Sequence, residues 1–259
     1  MPESSTPTPG SPCWADLWTS DVEGARRFYD ALFGWESTDP DPDFGGDFGF
    51  ARAGAPIAGA MGDMGEMKAT DTWKIHFATT DAEVTAVRAT AKGASLFAPP
   101  MPVAEPGVQA VMTDPTGAVV GLWQPGIHRG FSALGVHGAP SGFELHTGDH
   151  DAAVAFYSGV FDLQPAVGDT PPPFADTMLR DRGGMQRVGI MDASAFLPDG
   201  VGSHWLIDGD VDDVDAAAAR VRDLGGALVR RPDATPSGRI AAVADPAGAR
   251  FQLRHPPAA

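Results

Sequence analysis

The residues of this 259-residue chain best suited to chemistry are a carboxylate and an imidazole two positions apart, Glu144 and His146, with Asp208 and Arg254 further on. A carboxylate beside an imidazole can exchange a proton with a carbon acid near neutral pH, and a guanidinium can hold the anion that results. A second set, Asp16, Lys74 and His76, comes with Trp14, Trp18 and Trp123, whose indoles can stack on a planar ligand. Covalent catalysis lacks a nucleophile: there is no GxSxG elbow, and Cys13, the single cysteine, has no neighbour to activate it. A lone cysteine also excludes an intramolecular disulfide framework, a thiolate zinc cluster and a CxxC redox pair.

A duplication positions these groups. Asp21 followed by Phe28-Tyr29 recurs 128 residues later as Asp149 followed by Phe156-Tyr157. In the same order Met61 matches Met191, Trp73 matches Trp205, Gly93 matches Gly225, and Asp114-Pro115-Thr116-Gly117 matches Asp245-Pro246-Ala247-Gly248. The period is too long for a solenoid. It predicts two domains, 14–125 and 143–255, joined by a linker, 126–142, within the Gly-, Pro- and Ser-containing stretch Gln124 to Gly142, and preceded by a disordered tail, 1–13.

Within each half the pattern predicts two βαβββ units. Trp14 to Thr19 alternates as a strand, and Asp21 can cap a helix whose Ala25, Phe28, Tyr29 and Leu32 share a stripe closed by Gly34. Trp73 to Thr79 opens the second unit, whose helix carries Val84, Val87 and Ala91 on one face and ends at Gly93. Alternation turns Ala15, Leu17 and Thr19 toward the helix and Trp14, Asp16 and Trp18 away from it. The same rule places Lys74, His76, Gly121 and Trp123 on the inner face of the first half. Glu144, His146, Leu206, Asp208, Gln252 and Arg254 take the inner face of the second. Phe28, Tyr29, Phe156, Tyr157, Trp73 and Trp205 are expected in the core, and His128, His137 and His150 in solvent. The stretches Asp39 to Gly49 and Pro171 to Phe174 are equivalent insertions, either lids or plain connections.

Composition bounds the partners. With 32 Gly and 24 Pro against 43% apolar residues, the chain can build cores only from short elements, which excludes long bundles and coiled coils. A net charge of −16 opposes nucleic acid and anionic membranes. No basic-apolar leader and no apolar run of 18 residues occur, so the expectation is a cytoplasmic protein, monomer or homodimer, with a small-molecule ligand. Gly45-Gly46 lies in an acidic loop without the strand-to-helix context of a phosphate cradle.

The ordered strand, Asp, helix and Phe-Tyr motif, the run Val211-Asp212-Asp213-Val214-Asp215-Ala216-Ala217 leading to Leu224-Gly225-Gly226, and the closing DPxG strand together resemble the vicinal oxygen chelate superfamily of glyoxalases, bleomycin-resistance proteins and extradiol dioxygenases. The resemblance covers nearly the whole chain after residue 13. It implies an α+β fold of two tandem domains, each of two βαβββ modules with sheets curled into a cup and helices outside. It also implies metal ligands on the two opening strands and a closing strand, and the matching positions hold Trp14, Lys74 and Gly121, then Gly142, Leu206 and Gln252. Five of these six cannot ligate a metal, so no cofactor is expected.

Two residues beyond each lost position stands a polar group on the same face, and three readings of this set are open. One is a divalent metal at a displaced site, Asp16 with His76 or Glu144 with His146 and Asp208. A second is internal ion pairing, Asp16 with Lys74 and Glu144 with Arg254. The third is metal-free acid–base chemistry by Glu144, His146 and Asp208, with the ligand held by Trp14, Asp16, Trp18, Lys74, His76, Trp123, Gln252 and Arg254. The resemblance thus implies a glyoxalase-like enzyme of lyase, isomerase or tailoring type, or alternatively a non-catalytic binder of the bleomycin-resistance kind. The modules can pair within each half or by exchange between halves, which would group Asp16 with Asp208 and Glu144 with His76.

Overall fold

A computed structural model describes residues 6–41, 46–103, 106–167, 176–198, 200–235 and 238–256. The Pro171 to Phe174 insertion lies outside them, as does part of the Asp39 to Gly49 loop. The described chain is built from four βαβββ modules. The first holds β1 (Pro12–Trp18), α1 (Val22–Phe33), β2 (Glu36–Ser37), β3 (Phe48–Arg52) and β4 (Ala55–Met61). The second holds β5 (Thr72–Ala78), α2 (Ala82–Ala91), β6 (Ser95–Val103), β7 (Gly107–Thr113) and β8 (Val119–Pro125). The third is β9 (Pro140–Thr147), α3 (His150–Phe161), β10 (Gln164–Val167), β11 (Asp176–Arg180) and β12 (Gln186–Asp192). The fourth is β13 (His204–Asp210), α4 (Val214–Asp223), β14 (Ala227–Thr235), β15 (Gly238–Ala244) and β16 (Arg250–His255).

One aspartate starts every helix. The carboxylates of Asp21, Asp81, Asp149 and Asp213 accept from the backbone N–H of Gly24, Val84, Ala152 and Ala216, so the chain turns from opening strand to helix in the same way four times. The helix crosses over, and the last strand of each module returns parallel to its first: β4 to β1, β8 to β5, β12 to β9 and β16 to β13. The remaining pairings within modules are antiparallel.

The modules pair by exchange. One compact unit contains Met1–Trp14, Lys74–Gly130 and Phe143–Trp205, and thus most of the second and third modules with the first residues of β1 and β13; the other contains Ala15–Trp73, Phe131–Gly142 and Leu206–Ala259, and thus most of the first and fourth with the first residues of β5 and β9. In the first unit, called here the inner unit, the Tyr157 hydroxyl donates to Asp114 Oδ2 at 2.8 Å and accepts from Trp205 Nε1 at 3.2 Å. In the other, the outer unit, Tyr29 donates to Asp245 Oδ2 at 3.3 Å and accepts from Trp73 Nε1 at 3.2 Å. The tyrosine of each half therefore meets the DPxG aspartate of the other half. Burial pushes both phenols well above their ordinary range, and it also raises the Asp245 carboxyl. Aromatic rings pack round each set: Phe33, Trp35, Phe50 and Phe251 about Tyr29, and Phe77, Phe156 and Phe161 about Tyr157.

Three expectations need correction. Val84 and Val87 of α2 are 55% and 70% exposed, while Ala82, Thr85, Ala86 and Ala89 form the buried face. Small side chains let this helix sit close against its sheet, so hydrophobicity alone picked the wrong stripe. The segment before residue 14 is packed from Gly10 onward: Gly10 N–H donates to Ala78 O at 2.8 Å, and Ser11 and Cys13 are buried. His150, expected in solvent, has its Nε2 buried, whereas His137 is half exposed beside Asp212 at 3.4 Å.

Candidate active site

Asp16, His76, Glu144 and Asp208 each stand five residues before a capping aspartate, one per module. In the parallel pairing each faces the last strand of its module, Asp16 against Gly59, His76 against Gly121, Glu144 against Gly189 and Asp208 against Gln252. Glycine there leaves room for a polar side chain to lie across the neighbouring strand. A Cβ added at Gly121 would fall 2.2 Å from the His76 Nδ1, and one at Gly189 3.4 Å from Glu144 Oε2. Asp208 likewise lies 2.3 Å from where a Gly142 Cβ would stand. The imidazole of His76 and the carboxylate of Asp208 thus fill volumes that side chains at 121 and 142 would occupy.

The inner unit holds the Glu144–His146 pair. His146 Nε2 and Glu144 Oε1 are 2.7 Å apart, with 11% and 21% of their side chains exposed. An ionised Glu144 accepts the ring N–H at this distance, which holds the imidazole in one orientation. Two residues that strand alternation was not extended to reach stand beside the pair. His204 has its ring centroid 5.8 Å from that of His146, and Phe196 meets His146 edge-on at 5.5 Å. His204 was legible, since it lies two residues before Leu206 on the same face of β13. Phe196 sits in a turn with no periodicity to mark it.

Trp14 and Trp123 also belong to the inner unit, but they clasp the His128 ring, at 4.5 and 5.4 Å between centroids, and Trp123 Nε1 donates to His128 O at 2.9 Å. His128 is therefore packed rather than solvated, and these two indoles are partly spent on structure. Trp123 further packs with Cys13 and Ala78. Lys74 is half-buried and His76 fully buried.

Asp16, Trp18, Asp208, Gln252 and Arg254 are in the outer unit. Arg254 Nη1 lies 3.6 Å from Asp208 Oδ2, Asp210 accepts from the Ser141 hydroxyl at 2.5 Å, and Trp18 Nε1 donates to Gly62 O at 2.9 Å. Asp16 and Gln252 are buried. The second-half cup inferred under pairing within halves is therefore divided: Glu144 and His146 fall in one unit, Asp208 and Arg254 in the other. Asp16 and Lys74, Asp16 and His76, and Glu144 and Arg254 are divided in the same way.

Residues 141–253 match the family model of the glyoxalase, bleomycin resistance protein and dioxygenase superfamily, and residues 14–122 match a glyoxalase-like domain model. The chain belongs to this vicinal oxygen chelate superfamily. It is 33% identical to a protein of Mycobacterium tuberculosis named as a glyoxylase, CFP32, over 99% of this chain and 98% of the relative. It is 33% identical to the anthracycline biosynthesis protein DnrV of Streptomyces peucetius, over 95% and 93% of the two chains. Among solved structures, a Mn(II)-bound glyoxalase from Novosphingobium aromaticivorans superposes with a TM-score of 0.63 at 19% identity, over 95% of this chain and 82% of that one. The halotolerant catechol dioxygenase BphC gives 0.65 at 15% identity, over 96% and 87%. At such identities the structural likeness speaks for the fold.

The superfamily's metal positions do not fit a metal in this member. They hold Trp14, Lys74, Gly121, Gly142, Leu206 and Gln252, and at both glycines a neighbouring polar side chain takes the volume a ligand at that position would need. Among the described residues no three His, Cys, Asp or Glu side chains form a group able to hold a metal. Among the same residues, no helix is long and apolar enough to cross a membrane.

Proposed function

We propose that this superfamily member is a tailoring enzyme that moves a proton on an oxygenated aromatic small molecule of the polyketide class, using the Glu144–His146 pair. The carrying observation is the pair itself, a carboxylate 2.7 Å from an imidazole, both largely buried on adjacent inward positions of β9. Glu144 holds Nε2–H and stabilises the imidazolium, leaving Nδ1 as the basic atom that takes a proton from carbon next to a carbonyl and delivers a proton elsewhere on the substrate. The anthracycline biosynthesis proteins matched over nearly their full length support the substrate class.

The test is a screen of polycyclic quinones, aromatic polyketides and α-oxoaldehydes for turnover, followed by Glu144→Gln and His146→Ala. Both variants are expected to lose turnover by roughly two to four orders of magnitude while keeping the wild-type circular dichroism. Undiminished turnover in both would remove the pair from the reaction. A non-catalytic binder is the second reading, favoured by the non-ligating residues at the superfamily's metal positions. It predicts saturable binding of a member of the same panel with no product.

A further inference from the structure

The two copies of the duplication differ at the inward positions of their opening strands. Glu144, His146 and His204 of the inner unit stand where the outer unit has Asp16, Trp18 and Thr72. Trp18 is engaged with a backbone carbonyl, so the outer copy has no counterpart of the imidazole pair. In the inner copy a gradient of exposure runs outward, from the largely buried Glu144 and His146 to the half-exposed His204.

His204 is oriented by its own loop. Its Nδ1 lies 2.9 Å from Gly202 O, and since a carbonyl only accepts, Nδ1 carries the proton and Nε2 of the neutral ring is an acceptor. The His146 ring is within 5.8 Å, centroid to centroid, a spacing that direct contact or one water spans. Phe196, edge-on to His146, covers the buried ring from another side.

We propose that His204 is the proton exit of the Glu144–His146 pair, a relay between the buried imidazole and solvent. The idea rests on the acid–base reading above and adds a route by which the pair exchanges its proton with solvent. The N–H bond at Nδ1 of the His146 imidazolium breaks, an N–H bond forms at His204 Nε2, and the His204 imidazolium hands a proton to water; a water proton returning by the same route restores the imidazolium that protonates the product carbon, so protons balance. No oxidant or second substrate enters. His204 acts through His146 and does not touch the reacting carbon, so it is a positioning and relay residue.

The experiment uses the full chain without substrate. Ring-¹⁵N-labelled histidine, at a pH acidic enough for the ring to carry both protons, gives the rate at which the His146 Nδ1–H exchanges with water, in the wild type and in His204→Gln. A glutamine amide can still donate to Gly202 O but cannot carry the proton onward. Exchange is expected to slow by roughly tenfold or more, with the His146 chemical shifts otherwise retained. An unchanged rate would overturn the relay, and His204→Asn provides the same comparison should the glutamine variant fold poorly. The result is separable from the reaction itself. Slowed exchange together with full activity in Glu144→Gln would keep the relay and discard the acid–base reaction, whereas inactive Glu144→Gln with unchanged exchange in His204→Gln would do the reverse.

Discussion

Replacing Tyr157 by Phe tests the exchanged pairing at one atom. The hydroxyl it removes is fully buried and serves two partners, donating to Asp114 Oδ2 at 2.8 Å and accepting from Trp205 Nε1 at 3.2 Å. Ring volume is conserved, so no cavity opens, and the cost is that of the polar groups alone. A hydrogen bond to a carboxylate contributes about 1.5–3 kcal/mol net, and an indole N–H left buried without a partner costs about 1–3 kcal/mol. The two overlap, because the Asp114 carboxylate keeps bonds from the Thr116 and Ala118 amides and the Thr116 hydroxyl through its other oxygen. The expected loss is therefore about 3 kcal/mol. Tyr29→Phe, the equivalent change in the other unit, breaks a longer bond of 3.3 Å to Asp245 and should cost about 1–2 kcal/mol. Urea unfolding followed by indole fluorescence gives both values. If Tyr157→Phe cost under 1 kcal/mol, or less than Tyr29→Phe, the buried triad would not be what joins the second and third modules.

Other outcomes follow from the same contacts. Burial raises the Asp245 carboxyl above its ordinary 3.8, while the Tyr29 hydroxyl opposes that rise by favouring the ionised form. A raised folded value means that proton binding favours the fold below 3.8 and that this contribution is lost as pH climbs through the folded value. The penalty of Tyr29→Phe should accordingly grow with pH above 3.8, seen as a widening gap in urea midpoints. Gly121→Ala drives a methyl into the His76 imidazole and should destabilise by about 1–3 kcal/mol, measured in the same assay, whereas Gly184→Ala meets no atom within 4 Å and pays only for its positive φ. Residues 14–125 expressed alone contain Tyr29 without Asp245 and Asp114 without Tyr157. Such a fragment should show no cooperative transition until residues 143–255 are added, and a cooperatively folding fragment would count against exchange.

Much of the architecture was legible because it is local. The aspartate caps, the Phe-Tyr stripe and the alternation of the opening strands all operate within a few residues, and each recurs where the repeat says it must. The pairing of modules was not legible, since both halves carry a tyrosine, a tryptophan and a DPxG aspartate. Either pairing would satisfy every one of them, so the motifs alone do not choose between the two. The α2 face was missed for a related reason: alanines bury well against a sheet without standing out as hydrophobic. Alternation put Glu144, His146, Asp208 and Arg254 on one face of their strands, but the assumed pairing put them in one cup, whereas the two pairs lie in different units. Phe196 reached the site from a turn, where no period applies.

The exchanged arrangement changes what the duplication is for. Matching a domain model to each half suggests two similar cups, each free to keep or lose its chemistry. With modules paired across halves, each unit combines one module from each repeat, so a substitution in one repeat alters only one side of a unit. Glu144 and His146 from the second repeat share their unit with Lys74, His76 and Trp123 from the first, while Asp16 and Trp18 share theirs with Asp208 and Arg254. Divergence can then concentrate imidazoles in one unit and carboxylate–guanidinium pairing in the other. The linker is not a passive spacer in this scheme. Phe131–Gly142 belongs to the outer unit, and the buried Trp35 indole donates to Gly138 O at 2.5 Å, which ties the chain between the repeats into the first module's core. Replacing Trp35 by Phe removes that donor and leaves a cavity where the buried indole was, so the expected loss is about 2–4 kcal/mol in the outer unit. The Glu144–His146 hydrogen bond, read from the ring-nitrogen shift of His146, should stay as it is. A change in that shift would show that the linker governs the pair directly.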